Sequence, residues 1–223
     1  MPVLGYWSVR GLAEPIRTLL AHTGTEYENK TYDMGPAPTY DRSQWLNVKP
    51  TIDLDLPNLP YYMDGDVKLT ESSAIIRHLG RKTGLAGATE QEKMRIDVAE
   101  SLCRDQNLGF VRLVTSPDYD NAKPAFEADI SNQLQKLVIL LKDNKFISGE
   151  KVSYADFLIL ELLDRYESFS PSALAAFPTL KALQTRLLDL PGVKARRDSP
   201  EFKKISSRFF GRMHPFGHGE ESY

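Results

Sequence analysis

One stretch constrains the fold of this chain more than any other: Leu56–Leu79, LPNLPYYMDGDVKLTESSAIIRHL. Two short strand-like runs flank Asp64-Gly65, a dipeptide that favours a tight hairpin turn. Pro57-Asn58-Leu59-Pro60 brackets the entry, and Thr70-Glu71-Ser72-Ser73 opens a helix at the exit. The same stretch has the makings of a site. Only about 5–6% of X-Pro bonds are cis, yet a cis Leu59–Pro60 bond before a strand turns the preceding N–H and C=O outward, free to pair with an extended peptide. The sequence is therefore expected to hold that bond cis. At Glu71-Ser72 the amides of a helix start, with the positive end of its dipole, attract a carboxylate. The Ser72 hydroxyl can donate to the same anion, and Glu71 beside it can take an ammonium. The implied ligand carries an amine, a carboxylate and a peptide backbone.

The chain before this stretch supplies the rest of a small sheet. Pro2 to Trp7 reads as a buried strand. A helix starts near Glu14-Pro15, with proline tolerated in its first turn, and Gly24 ends it. Glu26 to Tyr32 is a second strand, and a parallel return over one helix is a βαβ unit. After a Pro/Gly-rich loop at 33–42, Ser43–Asn47 forms a turn of helix. The resulting β-α-β-α-β-β-α order is that of a thioredoxin-like domain over 1–82. A linker follows at 83–89, and then the strands stop. Thr89-Glu90-Gln91-Glu92 is a capping box opening a long helix to about Val114. Phe126, Ile130, Leu134, Leu137 and Leu141 mark one face of the next. Ser153-Tyr154-Ala155-Asp156 caps a helix whose 157–163 run is apolar almost all round, which predicts burial at the centre of an all-helical domain over 90–208. Short helices follow near 179–188 and 191–197, and a loose tail occupies 209–223. The fold class is thus α+β followed by all-α.

Composition excludes several functions. Lys and Arg total 28 against 30 Asp and Glu, a net charge of −2, so no nucleic-acid partner is implied. The basic run at 190–212 reads as a solvated surface. Cys103 is the single cysteine, which excludes an intrachain disulfide and fits a reducing, cytoplasmic setting. No apolar run approaches the length of a membrane span. His22, His78, His214 and His218 lack metal-ligand spacing.

The chain resembles the cytosolic glutathione S-transferases, specifically the mu class. The matching residues are Leu4-Gly5-Tyr6-Trp7, Arg10-Gly11-Leu12, Met34-Gly35-Pro36-Ala37-Pro38, Asp41-Arg42-Ser43-Gln44-Trp45-Leu46-Asn47, Pro57-Asn58-Leu59-Pro60-Tyr61 and Ala74-Ile75-Ile76. The likeness spans nearly the whole chain and weakens after about Ser199. Glutathione has an amine, two carboxylates and a peptide backbone, so the resemblance and the local chemistry agree.

The resemblance assigns roles. Tyr6 would aim its hydroxyl at the glutathione sulfur. A free thiol titrates near pH 8.5, and a donor directed at the thiolate favours the charged form. Taken alone, Tyr6 reads as a core tyrosine. Ser8 is the rival, because other classes use a serine near this point. Trp7, Arg42, Trp45 and Lys49 match positions that hold the glycyl end, although Trp45 is equally read as loop packing. Asn58 and Leu59 would meet the cysteinyl backbone. Glu71 and Ser72 would meet the γ-glutamyl end, with Glu71 standing where mu enzymes often have Gln and Ser72 also readable as a plain cap. Asp105 matches an acidic residue that reaches glutathione across a homodimer, and equally suits a solvated helix face. Cys103 reads as core or interface.

Two departures limit the transfer. Leu56 stands where many mu enzymes insert a phenylalanine into the partner subunit, and Thr115 stands where a second tyrosine often lines the electrophile site. That pocket is expected to comprise Val9, Leu12, Arg104, Val111, Thr115 and Phe209. The implied activity is conjugation of glutathione, as co-substrate and with no other cofactor, to a hydrophobic electrophile. The alternative is a non-catalytic carrier of hydrophobic ligands or a structural protein.

Overall fold

The structure is a computed structural model and describes residues 1–35 and 39–206. Phe209, the 209–223 tail and Pro36, Ala37 and Pro38 of the 33–42 loop lie outside the described residues. In chain order the elements are β1 (Val3–Trp7), α1 (Glu14–His22), β2 (Glu28–Tyr32), α2 (Ser43–Leu46), β3 (Tyr61–Asp64), β4 (Val67–Thr70) and α3 (Ser72–Lys82). Six helices follow: α4 (Glu90–Val114), α5 (Tyr119–Leu141), α6 (Tyr154–Phe169), α7 (Pro178–Leu188), α8 (Pro191–Asp198) and α9 (Pro200–Ser206).

The sheet order is β2-β1-β3-β4. β1 runs parallel to β2, with Tyr6 opposite Thr31, and antiparallel to β3, with Gly5 opposite Tyr61. Gly5 is required there, because a Cβ would lie 2.1 Å from the Tyr61 ring. Asp64 and Val67 close the expected hairpin, with Gly65 at φ 59°.

Both capping boxes form. Thr89 accepts from the Glu92 amide at 3.2 Å while Glu92 accepts from the Thr89 amide at 2.9 Å. Asp156 accepts from the Ser153 amide at 2.8 Å and from the Ile147 amide at 2.9 Å. The second box anchors α6, whose Phe157, Ile159, Leu160, Leu162 and Leu163 are all buried, as the apolar run predicts. One apolar core spans both halves of the molecule, from Leu4 and Ile16 to Leu160 and Leu187.

The structure adds two details to the sequence reading and corrects one expectation in it. The helix carrying Phe126 begins at Tyr119 and holds Pro124 inside it, in its second turn, where proline forgoes the backbone bond to the Asp120 carbonyl. A further short helix, α9, follows α8. Over its described part, residues 190–206, the basic run at 190–212 is not simply solvated. Arg196 is buried and clamps Glu14 of α1 with two bonds of 3.0 and 2.9 Å, and Arg197 reaches Asp164 of α6. Gly192 lets α8 press on α1, since a Cβ would meet the Ala21 carbonyl at 2.3 Å.

Candidate functional site

Tyr6 lies on β1 with its ring only 6% exposed. Its hydroxyl oxygen accepts the Leu12 N–H at 3.2 Å. The chain turns sharply enough to bring that amide in because Gly11 sits at φ 44°, where a Cβ would approach the Tyr6 oxygen to 2.7 Å. Burial raises the Tyr6 pKa, against the Leu12 bond and the nearby Arg17 and Arg165. The phenol therefore keeps its proton at neutral pH, and with the oxygen's acceptor side occupied by Leu12 that proton is available to donate. Ser8 is differently placed: it is buried, and its hydroxyl donates to the Asp33 carboxylate.

Gly11 and Leu12 form one lip of an open cleft. Pro15 and Ile16 of α1 and Ser72, Ser73 and Ile76 of α3 line one side. Glu100, Cys103, Arg104 and Asn107 of α4, with Leu158, Glu161, Leu162 and Arg165 of α6, line the other. The cleft thus lies between the first domain and the long helix. Ser72 is the first residue of α3, whose first turn holds no acidic side chain and whose start has no side-chain cap, so the positive helix end stays uncompensated by the helix itself. The cap position is Glu71, exposed and held at φ 68° and ψ 114°. A non-glycine residue there stores roughly 1–3 kcal/mol of backbone strain. Asn58 donates to the Glu71 carboxylate at 3.3 Å, which joins the loop before β3 to the start of α3. The Leu59–Pro60 peptide is cis, as expected from its position before β3.

The residues around α2 form a second group. Trp45 is buried, 5.3 Å from the Tyr32 ring and stacked at 6.2 Å on Tyr61, and the two tyrosine hydroxyls meet at 3.0 Å. Trp7 and Leu59 pack against the same aromatic cluster. Packing is therefore what the structure shows for Trp45. Arg42 and Lys49 are exposed, on the turns immediately before and after it, with the Lys49 amide donating to the Trp45 carbonyl at 2.8 Å.

The electrophile residues are only partly brought together. Leu12 and Arg104 line the cleft and are exposed. Val9 does not line it: it is buried in the core, because the turn after β1 directs it inward, and its carbonyl accepts from Arg17 at 2.8 Å. Val111 and Thr115 continue the Arg104 face of α4 beyond the cleft lining, half-buried and exposed respectively. Thr115 spends its hydroxyl on the Val111 carbonyl at 2.8 Å. Asp105 is exposed on α4, 3.8 Å from Arg104, and lines a different groove between α4 and α5. Cys103 is a buried core thiol whose pKa burial pushes up.

Sequence reasoning missed the α6 wall. Arg10 crosses from the turn after β1 to Glu161 at 2.6 Å and Asp164 at 2.6 Å. The pattern E161-x-x-D164-R165 inside an apolar helix was the available signal, since charges in a buried run must be partnered.

Comparison with known proteins agrees with this architecture. Residues 2–81 match the family description "Glutathione S-transferase, N-terminal domain", and residues 105–199 match its C-terminal domain. The chain is 45% identical to "Glutathione S-transferase Mu 1" of Oryctolagus cuniculus, over 92% of this chain and 94% of that one. It belongs to the glutathione S-transferases, in the mu class. Among solved structures of the family it superposes on the crystal structure of the glutathione S-transferase Blo t 8 with TM-score 0.86, at 30% identity over 97% of this chain and all of that one. A Pi-class glutathione S-transferase of Onchocerca volvulus gives TM-score 0.82 at 29% identity, over 93% of this chain and 97% of that one.

Proposed function

We propose that this glutathione S-transferase joins the thiolate of reduced glutathione to electrophilic centres of apolar compounds, a detoxifying conjugation. The observation that carries this reading is Tyr6: a buried phenol, protonated at neutral pH, whose oxygen already accepts from Leu12 and whose proton is left for the sulfur. The γ-glutamyl carboxylate would rest on the uncompensated start of α3 with Ser72, and its ammonium beside Glu71. The backbone at Asn58 and Leu59 would pair with the cysteinyl residue. Arg42, Lys49 and the Trp7 and Trp45 indoles would take the glycyl carboxylate. The electrophile would enter over Leu12 and Arg104, with Val111 and Thr115 farther along α4. Glutathione acts as co-substrate, and the reaction as proposed calls for no other cofactor.

The working form we infer is a cytoplasmic homodimer. Leu56 stands 75% exposed. The groove between α4 and α5, walled by Leu102, Phe126 and Ile130, suits such a side chain from a second copy. Asp105 on the rim of that groove would then reach the partner's glutathione. Among the described residues no helix is long and apolar enough to cross a membrane.

Turnover of a generic aryl halide with glutathione tests the reading. Tyr6→Phe keeps the ring and removes one charge-assisted hydrogen bond worth about 1.5–3 kcal/mol. Turnover at neutral pH should fall roughly tenfold to a hundredfold, with glutathione still bound and its thiol pKa raised. Ser8→Ala should do far less, because its hydroxyl is committed to Asp33. The reading fails if wild type binds glutathione without lowering its thiol pKa, which is carrier behaviour, or if Ser8→Ala raises that pKa and Tyr6→Phe does not.

A further inference from the structure

The cleft is apolar along much of its lining, at Leu12, Pro15, Ile16, Leu158 and Leu162. The α4 wall is different. There Arg104 and Asn107 stand three residues apart, which places them on one face of the helix. The Arg104 side chain is 67% exposed. Its guanidinium meets a carboxylate only at Asp105, where Nε lies 3.8 Å away, beyond hydrogen-bond distance. Asp105 itself lines the groove on the other side of α4. Asn107 is half-buried, and Arg165 donates to its amide oxygen. A guanidinium only donates, so the Asn107 oxygen must be the atom that faces Arg165. The NH2 group is thereby turned the other way, and among the described residues nothing accepts from it. The wall thus offers a cation and, one turn on, an oriented amide donor. Thr115 adds no donor farther along, because its hydroxyl goes to the Val111 carbonyl at 2.8 Å. The two carboxylates that line the cleft are buried and carry their own counter-charges. Glu100 accepts from Arg77 at 2.7 Å and from the Tyr154 hydroxyl at 2.8 Å, and Glu161 accepts from Arg10 at 2.6 Å.

We propose that Arg104 and Asn107 are specificity determinants of the conjugation, selecting electrophiles whose apolar body carries a carboxylate. This narrows the substrate class of the proposed reaction and rests on the sulfur lying at Tyr6. One carboxylate oxygen accepts from the Arg104 guanidinium and the other from the Asn107 amide. Residues three apart on a helix have Cβ atoms about 5–6 Å from each other, a spacing that a planar two-oxygen group can bridge. Leu12 lines the same cleft, and its amide meets the Tyr6 oxygen. A body anchored on α4 therefore extends over Leu12 toward the sulfur, with its apolar surface on the leucine. With an aryl chloride, the thiolate forms the sulfur–carbon bond and the carbon–chlorine bond breaks, chloride leaving with the electron pair. The carboxylate takes no part in those bond changes. It fixes where the ring lies.

Two pairs of probes separate binding from chemistry. Nitrobenzoate and its methyl ester, which lack the chlorine, report affinity by calorimetry on the glutathione-loaded protein. Chloronitrobenzoate and its methyl ester report kcat/KM, each divided by its uncatalysed rate with glutathione. Wild type should favour acid over ester roughly three- to tenfold in both measurements. Arg104→Gln should bring the ratio near one, and Arg104→Lys should keep most of it. Asn107→Asp preserves the shape and the contact with Arg165 but turns an acceptor toward the cleft, so it should shift the ratio toward the ester. Equal affinities for acid and ester in wild type overturn the proposal. So does a preference that survives both Arg104→Gln and Asn107→Asp. Tyr6→Phe should slow both chloro compounds alike and leave their ratio. A Tyr6→Phe enzyme as fast as wild type, or a wild type that conjugates neither chloro compound, overturns the proposed function instead, and the calorimetry still decides the carboxylate site.

Discussion

The rim from Arg42 to Ser72 and the interior around α6 solve opposite problems. At the rim, Arg42, Lys49, Asn58 and Glu71 stay in water, and what is buried beneath them is aromatic: Tyr32, Trp45 and Tyr61. Around α6 the charges themselves are buried, and each is held by a partner from a different part of the chain. The difference teaches where cost and function are placed. An exposed cation on a firm aromatic base is free to meet a ligand and costs little when removed. A buried carboxylate is coupled to everything around it.

The sharpest way to break this contrast is Glu14→Ala. Glu14 is fully buried and serves both Arg196 and Arg17. Removing one partner of a buried pair costs about 3–5 kcal/mol, which urea denaturation should register as a large fall in midpoint. A loss under about 1 kcal/mol would mean that the interior charges are no more coupled than those of the rim.

Asp156 sharpens the comparison through pH. Burial raises its pKa to about 6, against the Ile147 and Ser153 hydrogen bonds. A carboxyl whose folded pKa exceeds its unfolded value contributes stability that is complete below the unfolded pKa, about 4. That contribution is lost as the pH rises through about 6. Asp156→Asn does not titrate. The stability advantage of wild type over Asp156→Asn should therefore shrink by about 2–3 kcal/mol between pH 4 and pH 7. Parallel denaturation series at the two pH values check it, and an advantage that grows with pH would reverse the assigned cause.

Smaller effects belong to the surface. Leu56→Ala should weaken subunit association by about 1–2 kcal/mol, roughly tenfold in the dimer constant, read by sedimentation at micromolar concentration. An unchanged constant would separate Leu56 from the α4–α5 groove. Arg42→Ala should raise KM for glutathione by a few-fold with kcat kept, because a solvated ion pair contributes about 1 kcal/mol or less.

The two regions also differed in how far the sequence disclosed them. The rim is written in short local signals. Asp64-Gly65 marks the hairpin, Glu71-Ser72 marks the start of α3, and the 42–47 run carries its turn in its own residues. Tyr6 could be singled out only because the family motif stood in register around it. The α6 interior depends on pairings that no local window contains. Arg196 looked solvated because its partner Glu14 is far away in sequence. Val9 enters the expected pocket on the family resemblance alone, and no local signal shows that the turn after β1 folds it into the core. Arg165 and Glu161 were charges inside an apolar run, a conflict visible in the sequence but one that only the fold resolves.

The latch between α8 and α1 has a consequence for how such a protein can be taken apart. The chain divides cleanly near the linker at 83–89 when read as text. Yet the first helix is finished by the last third of the chain: Arg196 seals Glu14, and the bare backbone at Gly192 lies against Ala21. A fragment ending at Lys82 would carry Glu14 and Arg17 without Arg196, and a raw apolar flank on α1. The seam visible in the sequence is therefore not a seam in the object. Chimaeras joined at the linker must inherit matching faces on both sides of it, and proteolysis at 83–89 should leave two pieces that still travel as one.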